Sequence, residues 1–93
     1  MDDMLGAVAF STAGRDKGSP FVIIGSPEEG FLFLADGKKR KIENPKKKKI
    51  KHISVTGICF EEIRTKLIKH DKITNADLKK ALRNISNEEM IRG

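Results

Sequence analysis

The chain has no tryptophan and no tyrosine, and a single cysteine, Cys59. One cysteine excludes an intramolecular disulfide and fits a reducing compartment. The aromatics are Phe10, Phe21, Phe31, Phe33 and Phe60. All lie in apolar blocks, where they read as core side chains rather than platforms for stacking nucleobases. No apolar run approaches the roughly 20 residues that a membrane-spanning helix needs. Met1-Asp2-Asp3 is acidic where a secretory signal would be basic. His52 and His70 are far apart, Cys59 reads as a small core residue, and no His, Cys or carboxylate pair has metal-ligand spacing. The phosphate-loop pattern G-x-x-x-x-G-K-[ST] is missing. The expectation is a cytoplasmic, non-enzymatic protein, with no catalytic residue, metal, cofactor, small-molecule substrate or membrane partner.

What the chain does have is lysine, concentrated in one place. From Lys38 to Lys51 it carries Lys38, Lys39, Arg40, Lys41, Lys46, Lys47, Lys48, Lys49 and Lys51 against one acid, Glu43, a local charge of +8. The 93-residue chain as a whole is +6, so the remainder is slightly acidic. Charge gathered this way makes a local field whose natural partner is a polyanion. Folded RNA, DNA and an anionic membrane surface are the candidates. Stable membrane attachment needs an apolar or lipid second anchor, and neither is visible. A nuclear-localisation signal has the same composition, and the bland alternative is a solvated face. Without aromatics in this segment, recognition should be by phosphate and shape, and binding should weaken steeply with salt.

The length fits one small domain with one modest core. Leu5–Phe10 reads as a first strand, followed by the turn-forming stretch 11–20. Phe21–Ile24 is a second strand, Ser26–Gly30 a turn, and Phe31–Ala35 a third strand. Asp36-Gly37 is a two-residue hairpin signal of type I′, which places a fourth strand at about Lys39–Glu43, broken by Asn44-Pro45. Ile50–Val55 alternates weakly and gives a fifth strand.

The period then changes. Phe60, Ile63, Leu67 and Ile68 share a helical face. A second helix starts at Thr74 as N-cap, with Asp77 placed for a capping box and Ile73 and Leu78 for a hydrophobic staple. Its stripe is Leu78, Leu82 and Ile85, and 87–93 reads as a frayed tail. The expected fold is mainly β: a small five-stranded antiparallel barrel over 4–55, with a helical appendage over 56–86. Closure would remove the exposed sheet edges.

Gly6-Ala7-Val8, then Gly14-Arg15-Asp16-Lys17-Gly18, then Phe21-Val22-Ile23 make a strand, a charged loop closing on glycine, and a strand. In this the chain resembles the KOW-domain family, the SH3-like barrels of ribosomal proteins and transcription-elongation factors. It is similar in particular to bacterial KOW proteins related to an archaeal and eukaryotic large-subunit ribosomal protein. Asp36-Gly37, Lys39-Arg40-Lys41, Asn44-Pro45-Lys46-Lys47-Lys48, Lys51-His52 and Ile73–Leu78 continue the resemblance, which covers roughly residues 4 to 86. It implies an SH3-like barrel and an RNA-binding role at ribosomal RNA of the large subunit, with ribosomal proteins as possible neighbours.

From the residues alone, the 14–18 loop is either a charged hairpin turn or a phosphate contact. Gly14 and Gly18 permit the turn. Arg15 offers a planar fork and Lys17 a point charge, while Asp16 would brace Arg15 or loop amides. With the resemblance, Arg15 and Lys17 join the lysine segment and His52 as the expected RNA contacts, with Gly14, Gly18, Asp36 and Gly37 as structural turns. Two rival readings remain: a protein-interaction adaptor on the same barrel, and a regulator of transcription or translation that binds RNA transiently. Scarce aromatics count against an adaptor with a proline-reading groove.

Overall fold

The computed structural model describes residues 4–15, 17–83 and 85. Five strands are followed by two helices: β1 (Ala7–Ser11), β2 (Pro20–Gly25), β3 (Phe31–Ala35), β4 (Lys46–Lys49), a 3₁₀ turn (Ile50–His52), β5 (Ile53–Cys59), α1 (Glu61–Ile68) and α2 (Asn75–Arg83). The sheet is antiparallel, in the order β4-β3-β2-β1-β5. β4 and β5 are therefore opposite edges, yet only the 3₁₀ turn joins them.

That short link forces curvature. Edge strands of a flat five-stranded sheet lie about 19 Å apart at ~4.8 Å per strand, whereas three 3₁₀ residues rise about 6 Å. The sheet must curl until its edges approach. The link is bound to both sides: the Ile50 N–H donates to Gly30 O at 2.9 Å, and the Thr12 N–H donates to His52 O at 3.0 Å. No ladder pairs β4 with β5 among the described residues, so the sheet curls without closing.

The curl creates two apolar layers. Inside lie Ala7, Ala9, Phe21, Ile23, Leu32 and Leu34, with Ile50 and Ile53 of the link packed against them. On the outer face Val22 and Ala35, directly paired across β2 and β3, meet Ile63 of α1 and Leu78 of α2. The helices thus cover one patch of the sheet's outer face.

Bulges bend the sheet where the curl needs them. β5 carries extra residues opposite the Ala7–Ala9 stretch of β1. There the buried Thr56 hydroxyl donates to Val8 O at 2.8 Å and accepts from Ile58 N–H at 3.1 Å, replacing ladder bonds the bulge removes. A second bulge in β2 falls between Ile23 and Gly25.

The helix ends follow local rules. Thr74 and Asp77 form a reciprocal capping box: Asp77 N–H donates to Thr74 Oγ1 at 3.1 Å, and Thr74 N–H to Asp77 Oδ2 at 3.0 Å. Ile73 and Leu78 join the same apolar cluster, as a staple requires. α1 ends in a Schellman motif, with Asp71 N–H on Lys66 O at 2.8 Å and His70 N–H on Leu67 O at 3.2 Å. His70 occupies the position glycine usually takes, at φ 59°.

The β3–β4 connection overturns three expectations. Residues 39–43 are not a strand; β4 is Lys46–Lys49, pairing Leu34 with Lys46 through Phe31 with Lys49. Asn44-Pro45 therefore precedes the strand instead of breaking it. Asp36-Gly37 is not a type I′ turn, because Gly37 has φ +80° but Asp36 does not have positive φ. Asp36 instead turns its carboxylate onto the loop: Oδ1 accepts from Lys38 N–H at 2.8 Å and Arg40 N–H at 2.9 Å. This side-chain alternative to the hairpin opens a long loop running to Pro45.

Other differences are smaller. Ile50–His52 is helical, and β5 begins after it and runs to Cys59. Ile68 is 45% exposed and leaves the α1 stripe. Ile85 lies beyond the end of α2. Asp16 and the whole of the expected 87–93 tail lie outside the described residues.

Candidate functional site

The lysine segment is divided by its fold. Lys38, Lys39 and Lys41 are exposed, and Arg40 half-buried, on the β3–β4 loop. Lys46–Lys49 form β4, while Lys51 and His52 sit on the 3₁₀ turn, exposed and half-buried respectively.

Strand alternation sorts β4 further. Lys46 and Lys48 pair with the buried Leu34 and Leu32 and are half-buried on the inner face. Their aliphatic stems can lie along apolar surface while the ammonium groups reach the rim. Lys47 and Lys49 pair with Phe33 and Phe31 and are exposed on the outer face.

Lys48 connects the two basic elements that the sequence separates. Its ammonium donates to Ala13 O at 2.8 Å. That carbonyl also accepts the Ser11 hydroxyl at 2.6 Å. The β1–β2 loop closes where Gly18 N–H donates to Ser11 O at 2.9 Å, and turns where Lys17 N–H donates to Gly14 O at 3.3 Å. Gly14 and Gly18 both have φ +84°. Arg15 and Lys17 are exposed on this loop, at the same end of the sheet as Lys48.

Lys47 is exposed but has partners. It forms an ion pair with Glu28 Oε1, and its Nζ lies 4.8 Å from the centre of the Phe31 ring. An acid distant in sequence therefore offsets part of the lysine charge. Phe31 is also no pure core residue: it is half-buried and, with Ile50, Lys49, Lys51 and one acid, Glu29, lines an open hollow of about 600 Å³. An aromatic thus does stand within the basic surface, contrary to the sequence expectation. Phe21 is 2% exposed and fits the core reading.

The β3–β4 loop is fastened to α2 by Asn75. Its Oδ1 accepts from Ile42 N–H at 2.8 Å, and its Nδ2 donates to both Glu43 carboxylate oxygens at 2.9 and 3.0 Å. This amide contact, with help from a backbone bond and Lys41, holds the Glu43 carboxyl below its usual range. Gly37 packs so closely that a Cβ there would stand 2.2 Å from Asn75 O.

Fastening the loop brings two unanticipated cations beside two anticipated ones. Lys38 and Lys39 share a hollow of about 520 Å³ with Lys79 and Arg83 of α2, whose side is completed by Ser19 at the end of the β1–β2 loop and Pro20 at the start of β2. The sequence signal was present: Asn75, Lys79 and Arg83 recur every fourth residue and so form one helical stripe. What that stripe would face was set by tertiary packing.

The β1–β2 loop therefore touches β4 near one end and the α2 hollow at the other. Around it lie Arg15, Lys17, Lys48, Lys38, Lys39, Lys79 and Arg83, most of them exposed. Such a surface can neutralise a run of phosphates through mobile lysines and planar arginine forks. Among the described residues, no helix is long and apolar enough to cross a membrane, and no three His, Cys, Asp or Glu side chains could together hold a metal ion. The chain matches no protein-family model, and a search of curated proteins finds no match.

Proposed function

We propose that the chain is an RNA-binding protein that docks on ribosomal RNA of the large subunit, reading phosphates and shape. The observation that carries this reading is the Lys48–Ala13 contact, which joins the Arg15–Lys17 loop to β4 in one basic surface. Neither element alone offers more than a short charged patch. Together they follow the β1–β2 loop, as a backbone-tracking interface requires.

The finer fold reading is an SH3-like barrel of the KOW type. The strand order, the curl and the 3₁₀ link between the edge strands support it, as does the Gly14–Gly18 loop between the first two strands. On this reading the protein is non-catalytic and cytoplasmic, and the helices brace the barrel from outside.

Sucrose-gradient sedimentation of cell lysate, at low and raised salt, tests the proposal. Co-migration with the large ribosomal subunit is expected at low salt, and it should vanish after ribonuclease treatment. Retention through moderate salt marks a stable ribosomal component. Loss in modest salt marks a peripheral, phosphate-held factor. A protein that stays at the top of the gradient at low salt sinks the proposal and favours the protein-adaptor reading.

A further inference from the structure

We propose that α2 and the β3–β4 loop form the two walls of a trough that grips consecutive backbone phosphates of one RNA strand, with Lys79 and Arg83 on one wall and Lys38 and Lys39 on the other. This rests on the RNA-binding reading and extends the interface from the sheet to the helix.

Three features carry the inference. The first is convergence. Four cationic side chains from two elements line one hollow of about 520 Å³, where Asp36 is the single carboxylate. Asp36 keeps its charge, with Oδ1 turned onto two backbone N–H groups, and four cations against one carboxylate leave the lining net positive. The hollow therefore presents a strong positive field to an anion.

The second is preorganisation. The loop wall is held by Asn75 at Ile42 and Glu43, by Asp36 at Lys38 and Arg40, and by the close fit of Gly37 on Asn75 O. Asn75, Lys79 and Arg83 stand on one helical stripe. The residue that fixes the loop therefore begins the row that faces it. With both backbones fixed before binding, only the side chains remain to be ordered when the ligand arrives.

The third is the lining between the walls. Pro20 and Leu82 give the hollow an apolar surface beside Ser19. Cationic walls over a partly apolar base suit a sugar–phosphate strand better than an isolated small anion, which would leave the apolar part uncovered.

The test measures fluorescence anisotropy of a labelled RNA hairpin with the full chain, from about 50 to about 200 mM salt. The helix variant is Lys79→Gln/Arg83→Gln, the sheet variant is Lys49→Gln/Lys51→Gln, and the charge control is Lys69→Gln/Lys72→Gln, beyond the C-terminal end of α1. All six positions are exposed, so the fold should persist, as circular dichroism will check. The helix variant is expected to bind about tenfold more weakly at low salt, with the log–log salt slope reduced by about 1 to 2, near 0.9 for each phosphate no longer neutralised. If it matches the charge control while the sheet variant binds poorly, the trough is refuted and the RNA reading stands. If the wild-type chain shows no salt-dependent RNA binding, both fail. Calorimetry with inorganic pyrophosphate covers the other source of paired phosphates: tight binding that the helix variant loses, with RNA affinity unchanged, would assign the hollow to a small anion and overturn the trough.

Discussion

Gly37→Ala should damage the protein far more than the same change at Gly30, although the two glycines have nearly equal φ, +80° and +84°. An alanine at either site meets the left-handed backbone penalty of about 1–2 kcal/mol. At Gly30 a Cβ meets nothing within 4 Å. At Gly37 it would stand 2.2 Å from Asn75 O and 3.0 Å from Lys79 Cγ. Relief requires the loop and helix to part by roughly 1 Å, enough to forfeit much of the local packing. That motion also pulls on the Ile42–Asn75 bond and the exposed Glu43–Asn75 contact, and the strained Ile42 bond with the lost packing costs about 2 kcal/mol together. The expected loss at Gly37 is therefore about 3–4 kcal/mol, against about 1–2 at Gly30. A domain of this size shifts by roughly 4–8 °C per kcal/mol, so Gly37→Ala should melt at least about 8 °C below Gly30→Ala. Thermal unfolding followed by circular dichroism measures both. Equal melting temperatures would show that the loop does not rest on the α2 backbone, and the preorganised trough would lose its foundation.

Thr56→Val should cost about 1–3 kcal/mol in denaturant unfolding, because it strips partners from Val8 O and Ile58 N–H at a buried bulge, while Thr56→Ser should cost less. A near-neutral valine would mean the bulge does not depend on the hydroxyl. His70→Gly should raise stability by about 0.5–1 kcal/mol, since glycine relieves the left-handed cap of α1 at the expense of a freer unfolded chain; an unchanged or lower melting temperature would contradict this. Asn75→Ala should show a pH-dependent loss. The lowered Glu43 pKa stabilises the fold above the unfolded carboxylate range, near pH 4.3, and that contribution disappears as pH falls through the folded value. The gap between wild type and Asn75→Ala should therefore narrow from about pH 7 to about pH 3, leaving the Ile42 bond, which does not titrate. A gap of constant size would mean that Glu43 adds nothing.

Local rules made the helices legible. The Thr74–Asp77 box, the Ile73–Leu78 staple and the Ile63 and Leu78 anchors depend on residues within a few positions of one another, and they stand as the sequence predicts. The strands bounded by apolar blocks were legible for the same reason, within a residue or two. β4 was not. Four consecutive lysines have no alternation to read, and the strand exists because Phe31–Leu34 needs a partner for its ladder. Nor was the Asp36-Gly37 turn, since two chemistries compete there. The hairpin signal assumes that Asp36 adopts positive φ, but its carboxylate instead satisfies two loop N–H groups. That choice displaced the strand to Lys46 and opened the loop that α2 then captured.

The candidate site shows the same division more sharply. Charge alone pointed to Lys38–Lys51, and the fold breaks that run into parts with different work. Lys48 braces the β1–β2 loop, and Lys47 is drawn to Glu28 and Phe31. A lysine that holds protein structure must exchange that contact for any phosphate it meets, so its net contribution to binding is reduced. Exposed cations without such a contact keep their full gain from counterion release. Arg15 and Lys17 on the loop, and Lys79 and Arg83 on the stripe of α2, are exposed, and the last two lie outside the lysine run altogether. The segment that announces the function in the sequence is thus partly spent on assembling the surface, and a pair of helix residues that no charge run marks completes it.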